Sequence, residues 1–181
     1  MVPVLLCSKD KPERAIKVYA IIDNCSQGTF ISEKALESLG VSGTPTSITI
    51  ETTIASESFS SKVVNNLIVR CSEAHHISYP DSPVINLPAT YSRPTLPDNS
   101  GDVASKENAL MFESMKSIAE LLPEYDSQIP VALLIGQDCP RAQEPYEVVR
   151  GKESEPYAVR TALGWCMMGP IAHNQKSSET I

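Results

Sequence analysis

The segment Lys17–Gly40, KVYAIIDNCSQGTFISEKALESLG, decides how the rest of the chain is read. Lys17–Asp23 carries the β-branched and aromatic residues of a strand, and the strand turns wholly apolar at Ala20–Ile22, so it enters a core. Asp23 follows at once, then Asn24, Cys25, Ser26 and Gly28, a run of turn-forming residues. Strand pattern resumes at Thr29–Ile31. Ser32 is placed to cap a helix through Leu39, with Glu33 in its first turn and Gly40 as its stop. A carboxylate directly behind a buried strand is an unusual place for a charge. Desolvation there raises a carboxyl pKa, and donors from the turn or from Ser26 lower it. The same spacing also serves an ordinary Asx-type turn that ends a strand.

Working outward, Ser47–Ile54 alternates, with Ile48, Ile50 and Ile54 on one face. A polar tip at Ala55–Ser58 leads into a second strand, Phe59–Arg70, so the pattern predicts a long hairpin. Five of the 14 prolines fall between Pro80 and Pro97, and Tyr79–Asp102 is expected to be an extended loop or polyproline II segment. Leu110, Met111, Met115, Ile118 and Leu122 fall at helical spacing, an amphipathic helix of about four turns whose stripe packs on the core. Ile129–Ile135 reads as a buried strand ending at Gly136. Glu144–Val149 and Tyr157–Arg160 read as a hairpin around Gly151, Gly164–Met168 as a closing strand, and Trp165 as core or interface. Together these patterns predict a mainly β domain over residues 1–170. It has two short helices, an insert at 79–127 made of the Pro-rich loop and the amphipathic helix, and a flexible tail at 171–181.

At 181 residues, with 41% hydrophobic and 20% charged, the chain has the means to bury one core. Its net charge of −7 argues against a chain built to hold nucleic-acid phosphates or an anionic membrane surface. No apolar run approaches the roughly 20 residues of a membrane span, and no basic segment with a long apolar core opens the chain. A soluble, unsecreted protein is the expectation. The five cysteines are scattered without a CxxC pair, which favours free thiols in a reducing compartment over a disulfide scaffold or a zinc site. No metal and no cofactor is expected. Cys25 with His75 and His76 invites a cysteine-hydrolase reading, but the helix starts too late to activate the thiol. A metal site from Cys71, His75 and His76 is poor, since neighbouring side chains on a strand point to opposite faces. Glu144, Glu147 and 153–155 read as solvated surface charge.

Three blocks occur in a telling order: Val18–Gly40, Val131–Asp138 (VALLIGQD) and Thr161–Pro170 (TALGWCMMGP). They resemble the retropepsin-like aspartic proteases, specifically the peptidase domain of Pao/BEL-type LTR retrotransposon polyproteins. The first is similar to that family's strand, catalytic turn, S-x-x-x-F-I segment and helix. The second and third are similar to its h-h-I-G-x-D and T-x-x-G-W-x-x-x-G motifs. The resemblance implies a closed β-barrel of the acid-protease fold with Asp23 as the catalytic aspartate, one per chain, and therefore a homodimer. It implies an active-site turn of Asn24, Cys25 and Ser26, with Ser26 bonded to the Asp23 carboxylate and Ile135 and Gly136 packed behind. Ala55, Ser56, Glu57 and Ser58 would form a flap tip. A peptide or polyprotein substrate, no nucleic acid or membrane partner, and a cytoplasmic or virus-like-particle location are implied as well. Asn24 and Cys25 stand where the family carries Thr or Ser and then Gly. The alternative is thus a retropepsin-fold dimerisation or peptide-binding module whose chemistry has lapsed.

Overall fold

The computed structural model describes residues 1–51, 54–72, 83–98 and 100–171. His75, His76 and nearly all of the expected tail lie outside the described residues. The chain is mainly β, with a nine-stranded sheet that curls into a half-barrel and a separate three-stranded sheet. Among the described residues no helix is long and apolar enough to cross a membrane.

The large sheet grows from β1 (Val2–Ser8) and β2 (Lys11–Ile22), an antiparallel pair that the sequence reading recognised only from Lys17 onward. Val18, Tyr19 and Ala20 of β2 are buried, as the apolar run demands, whereas its first five residues are exposed. β3 (Thr29–Ser32) follows the Asp23 turn and leads into α1 (Glu33–Leu39). Ser32 caps α1 by accepting from the Ala35 N–H, and Gly40 ends it in the left-handed region at φ 61°. An alanine there puts a Cβ into that conformation. Gly40→Ala should therefore cost about 1 kcal/mol, read as a lowered urea midpoint.

β4 (Thr44–Glu51) and β5 (Ser56–Val64) form the expected hairpin with corrected bounds. Ser56, Glu57 and Ser58 pair with Glu51, Ile50 and Thr49, so they belong to β5. Ile54 lies beyond the strand and is 94% exposed, not on the apolar face with Ile48 and Ile50. The long second strand also breaks. Asn66 takes φ 68°, and the chain continues as β6 (Leu67–Cys71), which pairs with β1.

The Pro-rich stretch departs further from expectation. It supplies β7 (Ile85–Asn86) at one edge and β8 (Thr90–Arg93) in the interior, parallel to β3 and antiparallel to β5. β9 (Val131–Ile135) lies between β3 and β2, giving the order β4-β5-β8-β3-β9-β2-β1-β6-β7. Part of the span read as an insert is thus integral to the sheet. Among the described residues the sheet does not close into a barrel: β4 and β7 are its two edges.

The long amphipathic helix is replaced by α2 (Lys106–Leu110), a 3₁₀ turn at Glu113–Met115 and α3 (Lys116–Ala119). Met115, Ile118 and Leu122 are buried, but Leu110 and Met111 are exposed, so one continuous stripe was never needed. With α4 (Pro140–Gln143), the described residues hold four short α-helices where two were expected in the chain. The second sheet is β10 (Glu147–Val149), β11 (Tyr157–Thr161) and β12 (Gly164–Met168). Trp165 is buried on β12 with Met115, Ile118 and Leu122, in a core cluster apart from the one beneath the large sheet.

Candidate functional site

The end of β2 and the end of β9 lie side by side as parallel strands, with Ile22 opposite Ile135. The Asp23 N–H donates to the Ile135 carbonyl at 3.0 Å, which carries that pairing one residue past the strand. The chain then turns. Asp23 Oδ1 accepts from the Cys25 N–H at 2.9 Å, the bond of an Asx turn, so the half-buried carboxylate is fixed by its own loop. Asn24 and Cys25 are exposed, with Cys25 Sγ 3.5 Å from Asn24 Oδ1.

Ser26 departs from its expected role. Its hydroxyl donates to the Gly28 carbonyl at 2.8 Å, not to the Asp23 carboxylate. Its backbone carbonyl accepts from the Gln137 N–H at 2.8 Å, which binds the turn to the residues that follow β9. Ile135 and Gly136 lie behind the turn, as the motif reading has it. Gly136 touches it so closely that a Cβ there would collide with the Gly28 carbonyl and stand 2.8 Å from the Ser26 carbonyl oxygen.

Three further residues complete this frame. Fully buried Thr29 accepts from the Gly136 N–H at 3.2 Å and donates its hydroxyl proton to Asp138 Oδ1 at 2.7 Å. Asp138 Oδ2 also accepts from the Thr29 N–H at 3.2 Å, and Gln143 Nε2 donates to the Gly136 carbonyl at 2.6 Å. Asp138 stands in the VALLIGQD block, two residues after the glycine, but nothing in spacing alone joins it to Thr29, 109 positions away. Thr29→Val keeps the shape and strips the hydroxyl, leaving the buried Gly136 N–H without a partner. The expected cost is about 2 kcal/mol in urea unfolding.

Asp23 stands on the wall of two clefts. One, of about 670 Å³, runs between the turn Cys25–Gly28 and the hairpin strand β4, with Ile48, Thr49, Ile50 and Glu51 on that side and Phe30 and Tyr91 at its floor. The other, of about 420 Å³, has Ile21, Ile22, Leu134 and Met167–Gly169 around it. Of the expected tip residues Ala55, Ser56, Glu57 and Ser58, none borders the first cleft. Its hairpin side is the stem of β4.

All five cysteines are free thiols. Burial pushes the Cys139 and Cys166 thiols above their ordinary range, which disfavours the thiolate a nucleophile needs. Among the described residues no group of His, Cys, Asp and Glu could hold a metal ion. Comparison with family models, with curated proteins and with solved structures finds no match to this chain.

Proposed function

We propose that this chain is an aspartic endopeptidase of the retropepsin type, cleaving a peptide or polyprotein as a homodimer in which each subunit contributes Asp23. The half-barrel is, on this reading, the acid-protease fold. The observation that carries the proposal is the Asp23 carboxylate, held at the end of a buried strand on the wall of a cleft bordered by a hairpin. A cleft of about 670 Å³ falls in the size range of ligand pockets.

Two such carboxylates facing each other a few Å apart cannot both ionise cheaply, so the pair shares one proton. The ionised member takes a proton from a water as the water attacks the scissile carbonyl. The protonated member hydrogen-bonds the carbonyl oxygen and stabilises the charge that develops there. Apparent pKa values belong to the pair. The β4–β5 hairpin would close over the bound peptide and exclude bulk water.

Incubation of the protein with a peptide library at mildly acidic pH should give cleavage that a statine-type transition-state mimic blocks. Sedimentation should show a dimer under the same conditions. Absence of turnover, or a strictly monomeric active chain, sinks the proposal. Cys25 places a side chain on the cleft wall where the family carries glycine, and this favours the second reading, a lapsed peptide-binding module. Binding of library peptides without cleavage would decide for it.

A further inference from the structure

One face of β4, β5, β8 and β3 carries side chains that are neither buried nor free: Ile48, Ile50, Phe59, Tyr91, Arg93 and Phe30 are all half-buried. The alternate residues of β3 and β8, Ile31, Thr90 and Ser92, point into the core. Arg93 is the one cation on this face. Its guanidinium lies over the Phe59 ring at 4.6 Å and near the Phe30 ring at 5.9 Å, and Phe30 packs on Tyr91 at 6.2 Å between centroids. The rings hold the guanidinium without neutralising it. Arg93 Nε is buried with no hydrogen-bond partner, and among the described residues no carboxylate pairs with Arg93.

We propose that Arg93 is a specificity-determining residue that takes the carboxylate of a Glu or Asp side chain on the bound peptide. The proposal rests on the peptidase reading for its ligand, and on the ring-held, unpaired guanidinium for its chemistry. A guanidinium held against two aromatic rings has less freedom left to lose, so a carboxylate gains charge-assisted hydrogen bonds at low entropic cost. Phe30 and Tyr91 border the same cleft as Asp23, and Arg93 lies one same-face step beyond Tyr91 on β8. Such a step is about 6.6 Å, the advance of two residues along an extended chain. A glutamine in place of the acidic residue can accept a hydrogen bond but brings no charge, so the half-buried guanidinium stays unneutralised, and this difference is what discriminates.

The test compares peptides that carry Glu or Gln at one position at a time, cut by the wild-type chain and by Arg93→Met and Arg93→Glu. At one position the wild type should show kcat/KM at least about 10-fold higher for Glu. Arg93→Met should bring that ratio to about 1, and Arg93→Glu should favour Lys at the same position. A ratio near 1 in the wild type, or the same ratio in Arg93→Met, overturns the proposal. Fluorescence anisotropy of the labelled peptides on Asp23→Asn gives an arm that needs no turnover. Glu-selective binding on Asp23→Asn together with no cleavage by the wild type sinks the peptidase reading and keeps this one, and no binding of any peptide sinks both.

Discussion

Asp23→Asn is expected to abolish peptide hydrolysis and to leave the fold almost untouched. On the peptidase reading the carboxylate is the group that moves the proton, and an amide neither accepts one from water nor holds one to share. Loss of general acid–base chemistry of this kind costs at least about 10³-fold in rate. Stability should barely change, because Asn retains an oxygen in the place of Oδ1 and so keeps the bond from the Cys25 N–H. The half-buried position tolerates a neutral group of the same shape, and the urea midpoint should stay within about 0.5 kcal/mol of the wild type. A variant that is inactive and also unfolded would show that Asp23 holds the turn and would leave it without an assigned chemical role. Undiminished turnover would remove Asp23 from the mechanism altogether.

Gly136→Ala should be strongly destabilising and should displace the Asp23 turn. Its Cβ meets backbone atoms of Ser26 and Gly28, not the ends of side chains that could swing aside. Relief requires moving the whole turn away from β9, against the bonds from Asp23 N–H to Ile135 and from Gln137 N–H to Ser26. Overpacking of this kind costs about 3 kcal/mol. The effect on catalysis should be of comparable size to the effect on stability. Moving the turn by about 1 Å displaces Asp23, and misplacement on that scale costs about 100-fold in kcat. The two readouts, denaturant midpoint and residual cleavage under conditions where the variant is fully folded, separate these effects.

Much of this frame is legible in the sequence because it is local. Ser32, Glu33 and Gly40 mark the bounds of α1 through capping chemistry that needs only neighbouring residues. Gly164–Met168 is read to its ends, and β9 is found because VALLI is a short apolar run stopped by glycine. What escapes is whatever depends on distant partners. β8 is four residues between Pro88 and Pro94, a composition that reads as loop, and only β3 and β5 on its two sides make it a strand. β1 carries Pro3, which argues against an interior strand, yet β6 pairs with β1 only from Val4 onward and leaves that proline clear. The Asp23 turn is legible as a position; its frame of Thr29, Asp138 and Gln143 is not, since those contacts cross the chain. Arg93 gives no signal either, because its meaning comes from Phe59 and Phe30 on two other strands.

The neighbours of β3 carry a consequence for the order of events during synthesis. Both strands that flank it arrive late, β8 about 60 residues and β9 about 100 residues further along the chain. While only the first 72 residues are out of the ribosome, β1, β2, β6 and the β4–β5 hairpin can pair, but β3 has nothing on either side. The Asp23 turn lacks Gly136 and Asp138 until the 138th residue has emerged. Non-local pairing of this sort is slow and leaves strand edges bare in the meantime. A nascent or truncated chain that ends short of Asp138 thus carries the Asp23 turn with its own local bonds but without the Gly136, Asp138 and Gln143 contacts that hold it against β9.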